Sequence, residues 1–398
     1  MFNKKQMRKT RCYRQTSFFN NKIFLERKVG YMLSQLSIEA YRGIRDLELK
    51  DMGKINIIAG ANNTGKTSIL EVIRSFNAPN SLRKWRVLGR RESNSPIIST
   101  TVYDTMKSLF PLDIDIDGNK IGYDGIYDEK SFKVELLMHK DSTIINEIIL
   151  NEANGARYHD VQKGDELESK EYETDVMEIK YIVNGKECGE DTLYSIQRGM
   201  RRDRDKEELC IVKNVIYISP TQHAQNELYL SALLNDPDLY DQFVQIMRQF
   251  DPMFLSINAV RDENSFGQKY VILSKNHKEG LLLNAYGDGM KKAMLLLSSV
   301  IRAKNGILLL DEFETAIHIT AMKQVFKWLI ETAISLNVQV FMTSHSLEAI
   351  TSVLRCNKGL QKEMRMITLA NVGNEVKVRN VDGEKAIQLL DEYGLELR

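Results

Sequence analysis

A short apolar strand that leads directly into a glycine-rich loop and then into a helix is the strongest constraint on how this chain folds. The strand covers residues 55–59, the loop reads Gly60-Ala-Asn-Asn-Thr-Gly-Lys-Thr67, and apolar positions at helical spacing follow as far as Phe76. Glycines at this spacing let backbone N–H groups curl around phosphate oxygens, and the N-terminus of the helix adds its dipole. The pattern predicts a phosphate-binding loop at the end of a buried strand.

The residue types within this loop have distinct expected tasks. Lys66 is expected to reach the β and γ phosphates of a nucleoside triphosphate, and the hydroxyl of Thr67 is expected to bind Mg²⁺. The full set of residues expected to contact the nucleotide is Gly60, Asn62, Asn63, Gly65, Lys66, Thr67 and Ser68.

A later apolar strand, residues 307–310, ends in the acidic pair Asp311-Glu312. Ligands of open α/β sheets bind at the carboxyl ends of the strands, so this pair is expected near the phosphate-binding loop. Asp311 is expected to hold Mg²⁺ together with Thr67. Glu312 is expected to orient or deprotonate an attacking water.

A third apolar strand, residues 338–342, is followed by Thr343-Ser-His-Ser346. His345 is expected to contact the γ-phosphate from this strand end. The neighbouring serines also suit the N-cap of a following helix. A phosphate contact by His345 and a helix cap by a serine are compatible with each other. The candidate catalytic residues are therefore Lys66, Glu312 and His345.

Tyr286-Gly-Asp-Gly-Met290 opens a long predicted helix. Two glycines at a helix N-terminus form an anion-binding site, which makes Gly287 and Gly289 candidate phosphate contacts. An ordinary turn followed by a helix cap explains the same residues.

Strands alternate with helices over much of the chain, which predicts an α/β fold with a mainly parallel core sheet covered on both faces. The core is predicted to comprise residues 32–90 and 211–398. Residues 91–210 are polar and carry alternating strand patterns, so they are predicted to form a β-rich insertion between these two parts. No internal repeat is visible.

Individual elements are also predicted outside the motifs. Strand patterns cover residues 132–138, 144–150 and 176–183, and Asn184-Gly185 is typical of a tight hairpin turn. One helix is predicted over residues 224–250.

Charge is distributed unevenly along the chain. The net charge is +1, but residues 1–31 carry a charge of +8 and the remainder carries −7. The basic segment is predicted to be a disordered extension; an organellar transit peptide or an arm that touches nucleic acid are the alternatives.

The apolar runs are too short to span a membrane, so no segment is expected to be transmembrane. The ATPase subunit of a membrane transporter is an alternative, but the Tyr-Arg-Gly sequence at 41–43 and the long insertion argue against it, so no membrane partner is expected. The four cysteines are widely scattered and form no C-x-x-C pair, which indicates neither a zinc site nor a disulfide framework. A reducing, cytoplasmic location is therefore expected.

The order of these motifs resembles that of ABC-type ATPase heads. Ile38-Glu-Ala-Tyr-Arg-Gly-Ile44 resembles the opening of RecF, SMC and OLD-type ATPases, with Tyr41 where phenylalanine is commoner. Asp311-Glu-Phe-Glu-Thr-Ala-Ile-His318 resembles a segment of OLD-type heads. The resemblance covers about residues 32–90 and 210–398.

This resemblance implies that two heads dimerise head to tail with ATP and Mg²⁺ between them. Gly287 and Gly289 of one head would then contact the γ-phosphate held by the other. The signature lacks the serine of the usual Ser-Gly-Gly, so the serine contact is missing here. The resemblance also implies a role in DNA repair or phage defence.

OLD-type nucleases carry a Toprim domain after the head, and fewer than about 55 residues follow His345 here. The effector is therefore expected to be a separate protein. The alternative to a hydrolysing motor is a nucleotide-gated scaffold that controls a partner with little turnover. Basic clusters at 83–86 and 198–206 raise DNA as a further partner, although a solvated loop is favoured for the second cluster.

Overall fold

The computed structural model describes residues 32–90, 100–111, 119–155, 170–200, 207–225, 228–261, 268–315, 317–373 and 375–393. The chain after Gly30 forms one compact unit. The predicted basic extension, residues 1–31, lies outside the described residues.

The secondary-structure elements are numbered in chain order. The strands are β1 (Leu33–Tyr41), β2 (Ile44–Leu49), β3 (Ile55–Gly60), β4 (Asn119–Tyr127), β5 (Lys130–Asn146), β6 (Glu171–Val183), β7 (Lys186–Tyr194), β8 (Val215–Ile218), β9 (Phe254–Arg261), β10 (Gln268–Ser274), β11 (Leu281–Leu282), β12 (Ile307–Leu310), β13 (Gln339–Ser344), β14 (Met364–Val372) and β15 (Glu375–Asp382). The helices are α1 (Lys66–Arg74), α2 (Leu82–Gly89), α3 (Val102–Lys107), α4 (Glu147–Ala153), α5 (Leu230–Leu234), α6 (Pro237–Met247), α7 (Asp288–Arg302), α8 (Ile319–Ser335), α9 (Leu347–Leu354) and α10 (Gly383–Tyr393).

A six-stranded sheet in the order β15-β14-β3-β13-β12-β8 forms the core. Its strands run parallel except for β15, which pairs antiparallel with β14 at one edge. The phosphate-binding loop follows β3 near the middle of this sheet, and β12 and β13 end beside it. The predicted α/β fold with a mainly parallel core sheet and a phosphate-binding loop at the end of a buried strand is confirmed.

Both faces of the core sheet are buried, which explains the uninterrupted apolar runs of its strands. Leu308 and Leu310 of β12 pack into one hydrophobic core together with helices α5 to α9. Ile307 and Leu309 point to the other side, into a core shared with α1 and a second sheet. A strand covered on both faces has no polar side, so its sequence does not alternate.

The second sheet is antiparallel, with the order β2-β1-β4-β5-β6-β7. It joins the first two strands of the chain to the strands of residues 119–194, so β1 and β2 belong to the sheet of the predicted insertion. Where the insertion begins and ends stays a prediction. The turn between β6 and β7 has positive φ at both Asn184 and Gly185, so the predicted tight hairpin is confirmed.

Two predicted elements are wrong. The strand expected over 144–150 ends at Asn146, whose side chain accepts a hydrogen bond from the Ile149 N–H at 3.0 Å and starts α4. The single helix expected over 224–250 is broken, because Asp236 caps α6 and Pro237 occupies its first position. Local capping therefore overrode the apolar pattern in both places.

Of the cysteines, Cys188, Cys210 and Cys356 lie among the described residues, and all three are free thiols. No helix in the described ranges is both long enough and apolar enough to cross a membrane. The cytoplasmic location stays a prediction.

Gln339 connects the two large sheets. This fully buried residue begins β13, and its side chain accepts from the Leu33 N–H at 2.8 Å. Its amide group donates to the carbonyls of Leu33 and Gly53, each at 2.9 Å. One side chain thus satisfies three buried backbone groups where β1 meets the core sheet.

We expect Gln339→Leu to lower the free energy of unfolding by about 1–3 kcal/mol, because the buried Leu33 N–H loses its acceptor and the Leu33 carbonyl loses a donor. The Gly53 carbonyl keeps the hydrogen bond that the Asn56 amide donates at 2.8 Å. Urea denaturation measures the change. Gln324→Leu, at an exposed position of α8, is the matched control and is expected to change stability by about 0.5 kcal/mol or less. Equal effects of the two substitutions would contradict the assigned role of Gln339.

Candidate nucleotide-binding site

A cavity of about 750 Å³ lies at the carboxyl end of the core sheet. Its size is that of a small-molecule site. Its walls come from the β1–β2 turn, the phosphate-binding loop, the segment after α3, the two strand ends and β15. The lining residues are Arg42, Gly43, Ile44, Asn62, Asn63, Thr64, Gly65, Lys66, Thr67, Ser68, Ser108, Phe110, Glu312, His345 and Val376.

The two glycines of the phosphate-binding loop occupy positions where a side chain does not fit. A Cβ atom at Gly60 would lie 2.5 Å from the Leu369 carbonyl oxygen. Gly65 has φ +90° and a Cβ there would lie 2.9 Å from Cγ1 of Ile44. Gly65 is also the N-cap of α1, so this left-handed residue turns the loop into the helix.

Lys66 places its ammonium group inside the loop. Its Nζ donates to the carbonyls of Gly60 at 2.9 Å and Ala61 at 2.7 Å, and the residue is buried. Burial lowers the pKa of Lys66, while the carboxylates of Asp311 and Glu312 act in the opposite direction. The loop therefore holds a cation at the start of a helix, where an anion is favoured.

Asp311 is the centre of the hydrogen-bond network beneath the cavity. The Thr67 hydroxyl donates to its two carboxylate oxygens at 3.2 and 3.1 Å. Thr343 donates to Oδ1 at 2.6 Å, and Tyr217 donates to Oδ2 at 3.1 Å. One buried carboxylate thus joins α1, β8, β12 and β13.

Glu312 and His345 face each other at the cavity wall. Nε2 of His345 lies 3.6 Å from Oε1 of Glu312, and both side chains are partly exposed. Glu312 has φ +43°, a left-handed conformation that costs a non-glycine residue about 1–2 kcal/mol. Its N–H donates to the Thr343 hydroxyl at 2.8 Å, which holds this strained backbone in place.

Glu314 fixes the backbone that carries His345. Its Oε1 accepts from the Ser344 hydroxyl at 2.8 Å and from the His345 N–H at 2.9 Å. The serine-cap interpretation also holds, because the Ser346 side chain accepts from the Ala349 N–H and caps α9. The segment after β13 therefore serves both the cavity and the following helix.

Arg42 was not among the predicted site residues, yet it lines the cavity. It lies in the β1–β2 turn with φ +49°, and its Nε donates to Oε2 of Glu71 at 2.8 Å. The Tyr41 hydroxyl donates to the same oxygen at 3.1 Å. The Tyr-Arg-Gly opening was the available signal, since two of its residues anchor the turn to α1 beside the phosphate-binding loop.

Tyr217, Thr343 and Glu314 were also missed as site residues. Thr343 stands two residues before His345 in the strand-end motif, so its position carried a signal. Nothing in the sequence marks Tyr217, which occupies an ordinary position of an apolar edge strand.

The structure brings most predicted site residues to this one cavity but leaves two elsewhere. Asp311 and Gly60 lie just beneath its wall, through their contacts with Thr67 and Lys66. Gly287 is exposed at the N-terminus of α7, and Gly289 lies in the first turn of that helix. Neither glycine lines the cavity of the same chain.

We expect Lys66→Ala to weaken ATP binding about 10- to 100-fold, the loss of one charge-assisted contact to phosphate. Titration with a fluorescent ATP analogue measures the dissociation constant. Lys323→Ala on the exposed face of α8 is the control and should bind like the parent protein. Unchanged affinity in Lys66→Ala would contradict the phosphate-binding assignment.

Comparison with known proteins places this site in context. The chain is 22% identical over 375 residues to an ATP/GTP phosphatase of Helicobacter pylori, covering 89% of this chain and 96% of that protein. A segment of 76 residues is 37% identical to the DNA replication and repair protein RecF of Shewanella piezotolerans, covering 19% of this chain and 21% of RecF.

Among solved structures, an SmcHead bound to the C-winged helix domain of ScpA aligns with a TM-score of 0.48 and 12% identity, covering 89% of this chain and 99% of that one. The SMC head domain from Thermotoga maritima aligns with a TM-score of 0.41 and 11% identity, covering 88% and 98%. The model of the AAA ATPase domain matches residues 32–350, most of the chain. The chain therefore belongs to the AAA ATPase domain family and is a P-loop ATPase.

Proposed function

We propose that this protein is a Mg²⁺-dependent ATPase head of the ABC type, related to RecF, SMC and OLD-type heads, in which two copies close around ATP. The observation that carries the proposal is the Asp311 carboxylate, which joins Thr67 of the phosphate-binding loop to the strand ends bearing Glu312 and His345. Lys66, Glu312 and His345 line one cavity, which supports the roles proposed for them below.

The residues present suit a magnesium ion. The Thr67 hydroxyl and the Asp311 carboxylate supply oxygen donors side by side, which is the donor type that Mg²⁺ prefers. Mg²⁺ is commonly held by one or two protein oxygens together with phosphate oxygens and water. When bound, the ion neutralises charge on the β and γ phosphates.

Side chains and backbone N–H groups of the chain itself bind the triphosphate and activate the water. Lys66 and the loop N–H groups hold the triphosphate, and Glu312 accepts the proton of the attacking water at its carboxylate. His345, whose Nε2 lies 3.6 Å from Oε1 of Glu312, donates to the γ-phosphate. Thr343 positions Glu312 through the backbone N–H and positions Asp311 through its own hydroxyl.

We expect Thr343→Val to reduce the rate of ATP hydrolysis about 10- to 100-fold, because Glu312 loses the acceptor for its N–H while the side-chain volume is kept. Thr343→Ser retains the hydroxyl and is the matched control, with a rate within about threefold of the parent. Both rates are measured under single-turnover conditions. Equal rates for the two variants would contradict the positioning role.

The N-terminus of α7 supports the head-to-tail arrangement. This 15-residue helix presents Gly287 to solvent, and no side chain caps it. Its exposed N–H groups suit the γ-phosphate of a nucleotide held by a second copy. A Cβ at Gly287 would meet no atom within 4 Å, so substitutions there test this contact without disturbing the fold.

We expect Glu312→Gln to abolish hydrolysis, to retain ATP binding and to trap an ATP-bound dimer, since the amide cannot accept the proton. Phosphate release and mass measurement in each nucleotide state check both effects. Normal turnover by this variant would contradict the catalytic assignment.

A second substitution on the trapped background tests the dimer geometry. Glu312→Gln combined with Gly287→Glu places a carboxylate against the γ-phosphate of the other copy, so it should remain monomeric with ATP while binding nucleotide normally. ATP-dependent assembly by the parent protein without measurable hydrolysis would favour the nucleotide-gated scaffold instead.

The biological setting is part of the proposal. We place the protein in DNA repair or phage defence, with a separate effector chain that responds to the nucleotide state. Addition of candidate effectors to the ATPase assay tests whether hydrolysis responds to a partner.

A further inference from the structure

A second cavity, of about 450 Å³, lies at the far end of α1 from the phosphate-binding loop. Arg74 ends this nine-residue helix and lines the cavity, so its Cα lies about 12 Å from that of Lys66 along the helix axis. Its walls come from α1, α2, β8 and the segments that flank them. The volume falls within the range of ligand-binding sites.

Three cations that line this cavity have no carboxylate partner among the residues that the structure describes. Arg74, Arg83 and Lys84 form no ion pair with the acidic side chains of the described residues. The lining includes one described carboxylate, Glu208, whose Oε1 accepts from the Ser81 hydroxyl at 3.0 Å. Grouped together and without an ion pair in the described part of the chain, these cations raise the local positive potential and favour an anionic ligand.

The positions of Arg83 and Lys84 strengthen this argument. Both lie in the first turn of α2, where the helix dipole disfavours cations and favours anions. That turn contains no acidic residue, and the side chain of Ser81 does not cap it. Two cations at the positive end of a helix dipole are electrostatically unfavourable, and an anion bound between them offsets this repulsion.

Aromatic side chains complete the wall. Tyr229 and Tyr217 line the same cavity, and the guanidinium of Arg74 lies 4.4 Å above the ring centre of Tyr217. Sites for a nucleotide unit commonly combine cations, which hold the phosphate, with aromatic rings and guanidinium planes, on which the base stacks.

Tyr217 also connects this cavity to the ATPase site. Its ring carries Arg74 on the side of the second cavity, and its hydroxyl donates to Oδ2 of Asp311 at 3.1 Å. A ligand whose phosphate draws Arg74 away therefore removes a contact that holds the Tyr217 ring. Because the hydroxyl of that ring donates to Asp311, the position of the Asp311 carboxylate changes as well.

We propose that this cavity binds a phosphorylated nucleotide unit, from a single strand of nucleic acid or from a free nucleotide, and that Tyr217 couples its occupancy to ATP hydrolysis. Coupling of this kind is reciprocal for binding, so ATP also alters the affinity for the second ligand. The binding step does not depend on the proposed dimer or on the biological role.

The binding experiment uses a fluorescein-labelled 20-nucleotide DNA strand with the full chain, followed by fluorescence anisotropy. Arg83→Glu combined with Lys84→Glu is expected to weaken binding at least tenfold. Lys323→Glu combined with Lys327→Glu makes the same change of charge on the exposed face of α8 and should alter affinity less than twofold. Basal ATP hydrolysis should remain unchanged in both double variants.

Competition distinguishes the two sources of the ligand. Displacement of the labelled strand by unlabelled strand but not by deoxyadenosine monophosphate assigns a nucleic-acid strand to the cavity. If the parent protein does not bind the strand but binds labelled deoxyadenosine monophosphate, and the α2 double variant loses that binding, the ligand is a free nucleotide.

Coupling is measured as the ratio of ATPase rates with and without saturating strand. The parent protein is expected to change its rate at least twofold, and Tyr217→Phe should lose this response while binding the strand within twofold of the parent. A retained response in Tyr217→Phe would overturn the coupling route.

Equal loss of binding in both double variants, or no binding of either probe, would overturn the site itself while leaving basal hydrolysis intact.

Discussion

The hydrogen bonds to the Asp311 carboxylate hold the functional part of this structure together. Three hydroxyl groups, from Thr67, Thr343 and Tyr217, converge on this buried side chain from three different elements. A buried carboxylate is costly unless it is well paired, so these donors are needed for its burial and in turn fix its position. The network sets the phosphate-binding loop and the two strand ends at a defined separation.

That network depends on the registers of the core strands. Leu310 lies beside Met342 on β13 and beside Ile218 on β8, so the residues that follow these strands emerge together at one edge. Both faces of the sheet are buried, and a slip by one residue would exchange the side chains of its two cores. Packing on both faces thus specifies the register that the polar network requires.

Sequence patterns predicted the parts of the site that depend on local spacing. The phosphate-binding loop, the Asp311-Glu312 strand end and the position of His345 all follow strong apolar runs, which the structure confirms as β3, β12 and β13. Arg42 and Tyr217 were missed because their contacts join residues that are distant along the chain. Lys292 shows the same limit, since a lysine in an amphipathic helix gives no sign that it is fully buried.

The sequence by itself determined the strand–loop–helix unit, because an apolar run leads into the glycine-rich loop and Gly65 adopts the left-handed φ of +90° that turns the loop into α1. It also determined the order along the chain of the two strands that end at Asp311-Glu312 and at His345. Only the tertiary structure decided that β1 and β2 join the antiparallel sheet, and that Tyr217 contacts both Arg74 at the second cavity and Asp311 beneath the first. Strand pairing and side-chain contact across the fold depend on long-range packing, which a local pattern does not encode.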